Sequence, residues 1–299
     1  MNASEPTRAS ARTGVLSGVG AYVMWGVFPV YFYFLRDISA PIILCHRIVW
    51  SCVFLVLLVS LRKEWNQFLP IVRSGRVMLL LSAGAVLIAL NWLVFIYSVV
   101  VGQVLQSSLG YFINPVLSVA LGMVFLGERL RGWQWVALGS AVGAVANLAL
   151  RGKGIPWIAL TLAISFGLYG LVRKRVNINS LHALTVESAI LLPLAIVVLW
   201  LTPGGMPESR LGLLSLSGIL TATPLLLFGV AVRKLQLSTM GFLQYIGPSL
   251  QFLMAILFFK EPLDNVRLLS FIFCWVAVAI YVLDSAIRSA PPDVADEPD

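Results

Sequence analysis

Ten runs of about twenty apolar residues, joined by short polar connections, fill this chain from residue 14 to residue 287. A hydrocarbon layer about 30 Å thick is crossed by about 20 residues of helix, and a helix satisfies its own backbone there. The runs span residues 14–35, 40–61, 77–100, 104–126, 133–150, 155–172, 181–201, 211–232, 237–259 and 266–287. They predict an all-α polytopic membrane protein with no inserted soluble domain. The first run exceeds the core of a cleaved signal peptide and reads as an anchor. The Pro- and Asp-rich residues 289–299 read as a disordered cytoplasmic tail.

Composition agrees. Of 299 residues, 59% are hydrophobic and 11% charged, against about 25% charged in soluble domains. The net charge of +8 does not mark a nucleic-acid partner, because the charges sit in clusters between the apolar runs. Membrane lipid and a small-molecule substrate are the partners expected; nothing in the sequence sets an oligomeric state. With the N-terminus inside, the inner segments hold 14 basic residues and the outer loops 6. That bias predicts cytoplasmic termini in a bacterial inner membrane.

Nothing points to catalysis, a metal or a cofactor. Cys45, Cys52 and Cys274 lie inside apolar runs without C-x-x-C spacing, and His46 and His182 are the only histidines. No G-x-x-x-x-G-K-[ST] or H-E-x-x-H is present, and no nucleophile–base–acid set can be picked out.

The chain repeats itself. A shift of 133 carries Ile113, Pro115, Leu117, Phe125, Glu128 and Leu130 onto Ile246, Pro248, Leu250, Phe258, Glu261 and Leu263. For the first two runs the shift is 141, taking Gly26 to Gly167, Ser39 to Ser180 and His46 to Glu187. The long connection at 62–76 absorbs the difference. Five runs per unit is odd, so the second unit enters the membrane from the opposite side, as in many secondary transporters. The units are expected at residues 1–151 and 152–288.

Ionisable groups in hydrocarbon cost about 2.5–3.5 kcal/mol on insertion scales, which singles out His46, Arg47 and Glu187. Arg47 suits a substrate carboxylate, and Glu187 or His46 suits a proton. The alternative is a structural pair of Arg47 with Glu187 or with a carbonyl. A polar stripe with Gln103, Gln106, Gly110, Asn114 and Ser118 marks the fourth run, and Gln244, Pro248 and Gln251 answer it in the ninth. Pro115 and Pro248 each free a carbonyl. Asn114, Gln106, Gln244 and Tyr245 are expected around one central space. Trp25, Asn91 and Tyr111 complete the candidate substrate-binding set, with ordinary helix packing as the alternative.

Ala21-Tyr22, Trp25-Gly26, Pro29, His46-Arg47-Ile48-Val49-Trp50-Ser51, Leu90-Asn91-Trp92, the string Ser108 to Pro115, Leu126 to Leu130 and Leu243 to Pro248 carry a resemblance. The sequence resembles the RarD branch of the drug/metabolite transporter superfamily, with its EamA-type repeats, over roughly residues 13–285. That resemblance implies ten helices, cytoplasmic ends, a central cavity, and an association with chloramphenicol sensitivity. The expected function is secondary transport, as an exporter, of a small organic metabolite or drug by alternating access with proton coupling. A facilitative pore and an intramembrane enzyme are the alternatives.

Overall fold

The computed structural model describes residues 8–126, 132–152, 154–176, 178–202, 208–235, 239–240 and 243–289. Residues 290–299 of the expected C-terminal tail, Arg129, Lys153 and the start of the ninth run lie outside them. The described elements are helices: α1 (Arg8–Tyr33), α2 (Ala40–Leu61), the short α3 (Phe68–Arg73), α4 (Gly75–Val100), α5 (Val104–Leu126) and α6 (Gly132–Arg151). After them come α7 (Trp157–Arg175), α8 (Ser180–Leu201), α9 (Leu211–Lys234), α10 (Ile246–Leu257) and α11 (Asn265–Ser289). Among the described residues nine are long and apolar enough to cross a membrane; α10 is apolar and shorter. The chain is a polytopic α-helical membrane protein.

Local chemistry sets the ends. Pro41 lies in the first turn of α2, where its missing N–H costs no bond. Asn179 Oδ1 accepts from the Leu181 N–H at 2.9 Å and caps α8. Gly102, at φ +67°, makes the abrupt reversal between α4 and α5. The connection after α2 departs from the expected plain loop. It folds into a 3-10 turn (Trp65–Gln67) and α3, because Trp65, Phe68 and Ile71 give it an apolar side. His182 Nε2 meets Glu64 Oε2 at 2.8 Å, and the His182 ring sits edge-on to Phe68. These contacts fasten the segment to the start of α8.

Packing follows the repeat. Helices α1, α2, α4, α5 and α6 correspond to α7, α8, α9, α10 and α11. Contacts of α1 with α9 and α10 are mirrored by those of α7 with α4 and α5, while α2–α8, α5–α10 and α6–α11 straddle the pseudo-axis. Single residues obey the same rule. A Cβ on Gly26 would meet Leu250 and the Gly247 carbonyl, and one on Gly167 would meet Leu117 and Asn114. Those are repeat mates. Phe112 stacks on its own mate Tyr245, centroids 6.4 Å apart and planes at 18°. Ser140 Oγ donates to the carbonyl of its mate Phe273 at 2.8 Å.

Glu261, aligned with Glu128 in the sequence, ties the halves together. Its two carboxylate oxygens accept the first N–H groups of α5, from Val104 at 2.5 Å and Leu105 at 3.1 Å. This is an N-terminal cap supplied from the other half, and the helix dipole favours the negative charge. Glu261→Ala is expected to cost about 0.5–2 kcal/mol, read as a lower melting temperature in detergent. Burial outweighs both hydrogen bonds and Arg267, so this carboxyl group titrates above its ordinary range. A folded-state pKa above the unfolded one makes stability fall as pH rises between the two. Glu261→Gln should remove that slope.

Candidate functional site

Arg47 is the eighth residue of α2 and is buried, 4% exposed. Helical spacing turns it away from His46, which is half-buried and makes no hydrogen bond among the described residues. The guanidinium plane is held by rings: its carbon lies 4.2 Å from the Trp92 centroid, 5.7 Å from Phe32 and 5.8 Å from Phe28. Such contacts stabilise a desolvated cation by about 2 kcal/mol. Nε donates to Thr221 Oγ1 at 3.0 Å, and the Tyr31 and Tyr111 hydroxyls lie within electrostatic range. No carboxylate faces it among the described ion pairs, and Nη1 is buried without a hydrogen-bond partner.

Beside this cation runs a polar chain. Tyr111 Oη donates to Asn91 Oδ1 at 3.2 Å, while Asn91 Nδ2 donates to the Leu162 carbonyl and to Ser165 Oγ, both at 3.0 Å. Every polar atom of the Asn91 side chain is thereby engaged. Its amide joins α4, α5 and α7 and fixes the Tyr111 hydroxyl, with the Tyr111 ring held by Phe95 and Phe166.

Glu187 stands elsewhere. It is fully buried on α8. Its Oε2 accepts from Tyr169 Oη at 3.0 Å, and its Oε1 lies 4.0 Å from Arg173 Nη1. Oε1 also occupies the space a Cβ on Gly84 would take, 2.8 Å away. The alternative of a structural pair between Arg47 and Glu187 is not what the fold forms: Arg173, one helical turn beyond Tyr169 on α7, is the cationic neighbour.

The other sequence candidates are dispersed. Trp25 packs against Tyr22 and Phe228, and its carbonyl accepts from Gln251 Nε2 at 3.3 Å. Gln106 Nε2 donates to Gln103 Oε1 at 2.7 Å. Asn114 Oδ1 lies 3.6 Å from a Cβ built on Gly167, and Tyr245 is on the Phe112 stack. No described contact joins Gln106, Asn114 and the half-buried Gln244 to one another or to Arg47. Arg47, Asn91 and Tyr111 do come together. Trp92, Thr221, Tyr31, Tyr169 and Arg173 were missing from the candidate set. Trp92 adjoins Asn91 and carried a signal; a threonine in an apolar run and an arginine in a basic helix end carried none.

The EamA-like transporter family matches residues 12–150 and 152–283. The chain belongs to that family. Its two matched segments coincide with the two halves of the helix packing. A protein named RarD from Escherichia coli (strain K12) is 42% identical over 282 residues, covering 92% of this chain and 95% of that one. An uncharacterized transporter from Vibrio cholerae is 42% identical over 287 residues, covering 93% and 95%. A chloramphenicol-sensitive protein RarD from Pseudomonas aeruginosa is 30% identical over 286 residues, covering 91% and 94%. A solved crystal structure, 14% identical, superposes with a TM-score of 0.58 over 93% of this chain and 99% of that one, which shows a shared fold. This EamA-family, RarD-type chain is thus a multi-pass bacterial membrane protein of a transporter family.

Proposed function

We propose that this protein is a secondary transporter that exports a small organic solute bearing an anionic group, by alternating access and with proton coupling. One observation carries the reading: a guanidinium buried among rings, without an acidic partner among the described residues and with Nη1 unsatisfied. A lone buried charge costs stability, and an intramembrane one is by default a functional group. A carboxylate accepting from Arg47 would supply the missing countercharge, and the surrounding rings suit an apolar body. Asn91 and Tyr111 position that body; Glu187 carries the proton. The pseudo-two-fold packing supports alternation, because exchanging the conformations of the halves moves the open end from one face to the other. The basic bias puts the face bearing the N-terminus in the cytoplasm.

A thermal-shift screen of purified protein tests the anion requirement. Carboxylates should raise the melting temperature, as ligands of the native state do, whereas their amide counterparts should not. Equal shifts from acids and amides would contradict it.

A further inference from the structure

The sites around Arg47 and Glu187 are built from equivalent helices of the two repeats, one residue out of register. Arg47 is faced by Phe28 and Phe32 of α1 and by Thr221 of α9. A shift of 141 carries Phe28 onto Tyr169 and Phe32 onto Arg173. These are the two α7 residues that face Glu187. Glu187 is the mate of His46, one position before Arg47, and α4, which brings Gly84 against Glu187, is the mate of α9. The repeat has thus placed a cation in one pocket and a cation–anion pair in its equivalent.

That pair is loosely made. Arg173 Nη1 and Glu187 Oε1 are 4.0 Å apart and both lack a hydrogen-bond partner, though both atoms are buried. Arg173 is otherwise held by a long 3.5 Å contact to Ser180 Oγ. Tyr169 and Arg173 are the ionisable groups that act on Glu187; α2, α4 and α9 bring none to it among the described residues. Both α2 and α8 have 22 residues, about 33 Å. Arg47 and Glu187 are each the eighth residue of their helices, about 10 Å in from the start.

We propose that Arg173 is a second site for the transported carboxylate, closed while Glu187 is ionised and opened when Glu187 takes up a proton. This rests on the reading of Arg47 as the first site. Charge balance gives it its logic. At Arg47 one carboxylate neutralises one guanidinium. At Arg173 the ionised Glu187 already does so, and a second anion would leave a net negative charge in a low-dielectric pocket. A proton from the water at that face, taken by a Glu187 oxygen, leaves Arg173 to the substrate. One proton is then taken up for each carboxylate bound at Arg173, and it returns to the water when that carboxylate leaves and the Arg173–Glu187 pair re-forms.

Benzoate binding to full-length R47Q in detergent isolates the second site. Its affinity should rise about tenfold between pH 8 and pH 6, and benzoate addition should draw protons from a weak buffer, as linkage requires. R47Q/E187Q should bind at both pH values alike, and R47Q/R173Q at neither. A pH-independent affinity in R47Q, or benzoate binding without proton uptake, overturns the proposal; the proton measurement needs only R47Q and decides even if a double variant does not fold. The first site is judged separately at pH 8, where the second is closed: wild type should bind about 10- to 100-fold more tightly than R47Q. Equal binding there removes the Arg47 reading itself.

Discussion

Replacing Arg47 by Gln is expected to weaken carboxylate binding about 10- to 100-fold while leaving the folded protein as stable as before, or more so. A hydrogen bond to a charged group contributes about 1.5–3 kcal/mol, which sets that range. The stability half follows because Arg47 has no acidic partner among the described residues to be orphaned. Removing an uncompensated buried charge relieves a cost, set against the contact with Trp92 at 4.2 Å. A structural arginine would behave in the opposite way: its loss would lower the melting temperature first and binding only as a consequence. Arg47→Lys should fall between wild type and Arg47→Gln. It keeps the charge and loses the flat fork that lies over the indole. Titration of a carboxylate and a melting curve on the same preparations separate the two roles.

Gly218→Ala should be the most damaging small substitution in the membrane region. A Cβ there would lie 2.3 Å from the Trp50 carbonyl oxygen and 2.6 Å from its carbon. Both belong to the backbone of α2, so no rotamer change relieves the clash, and α2 and α9 must separate. Overpacking costs about 1–3 kcal/mol where side chains can yield; backbone against backbone belongs at the upper end. The same separation would pull Thr221 from Arg47, since that 3.0 Å bond crosses the same helix pair. Gly229, on the same helix, has nothing within 4 Å of a built Cβ. Gly229→Ala should be neutral or slightly stabilising, because an interior helical glycine is less favourable than alanine by about 0.5–1 kcal/mol. Melting temperatures of the two variants side by side check the claim.

The fold was legible because hydrocarbon leaves a sequence little choice. Span length, helix number and repeat register all follow from apolar runs and two offsets. The contacts of Gly26 with Leu250 and of Gly167 with Leu117 join residues that those offsets relate. What escaped was chemistry made by packing. His46, Arg47 and Glu187 stood out because charge is rare in such runs, yet the partners of Arg47 are rings and a hydroxyl, which are common there. Arg173 sits in a basic helix end with Lys174 and Arg175, where topology alone explains it, and only the fold turns it toward Glu187. His182 was set aside as one histidine of two; the fold gave it Glu64, across the turn after α2. The stripe from Gln103 to Ser118 was legible as a row of polar residues at helical spacing, without its partners. Gln106 Nε2 donates to Gln103 Oε1, while Gln106 Oε1 and Asn114 Oδ1 are buried without a hydrogen-bond partner, and no described contact joins them to Arg47.

Efflux from proteoliposomes loaded with a bacterial metabolite extract, with the escaping solutes identified by mass spectrometry, tests the central claim most directly. Wild-type protein should release a set of organic acids above protein-free vesicles, faster with an imposed pH gradient, and R47Q reconstituted at the same density should release none of them. Efflux indistinguishable from protein-free vesicles, or efflux of solutes without an acidic group that R47Q leaves unchanged, would contradict it.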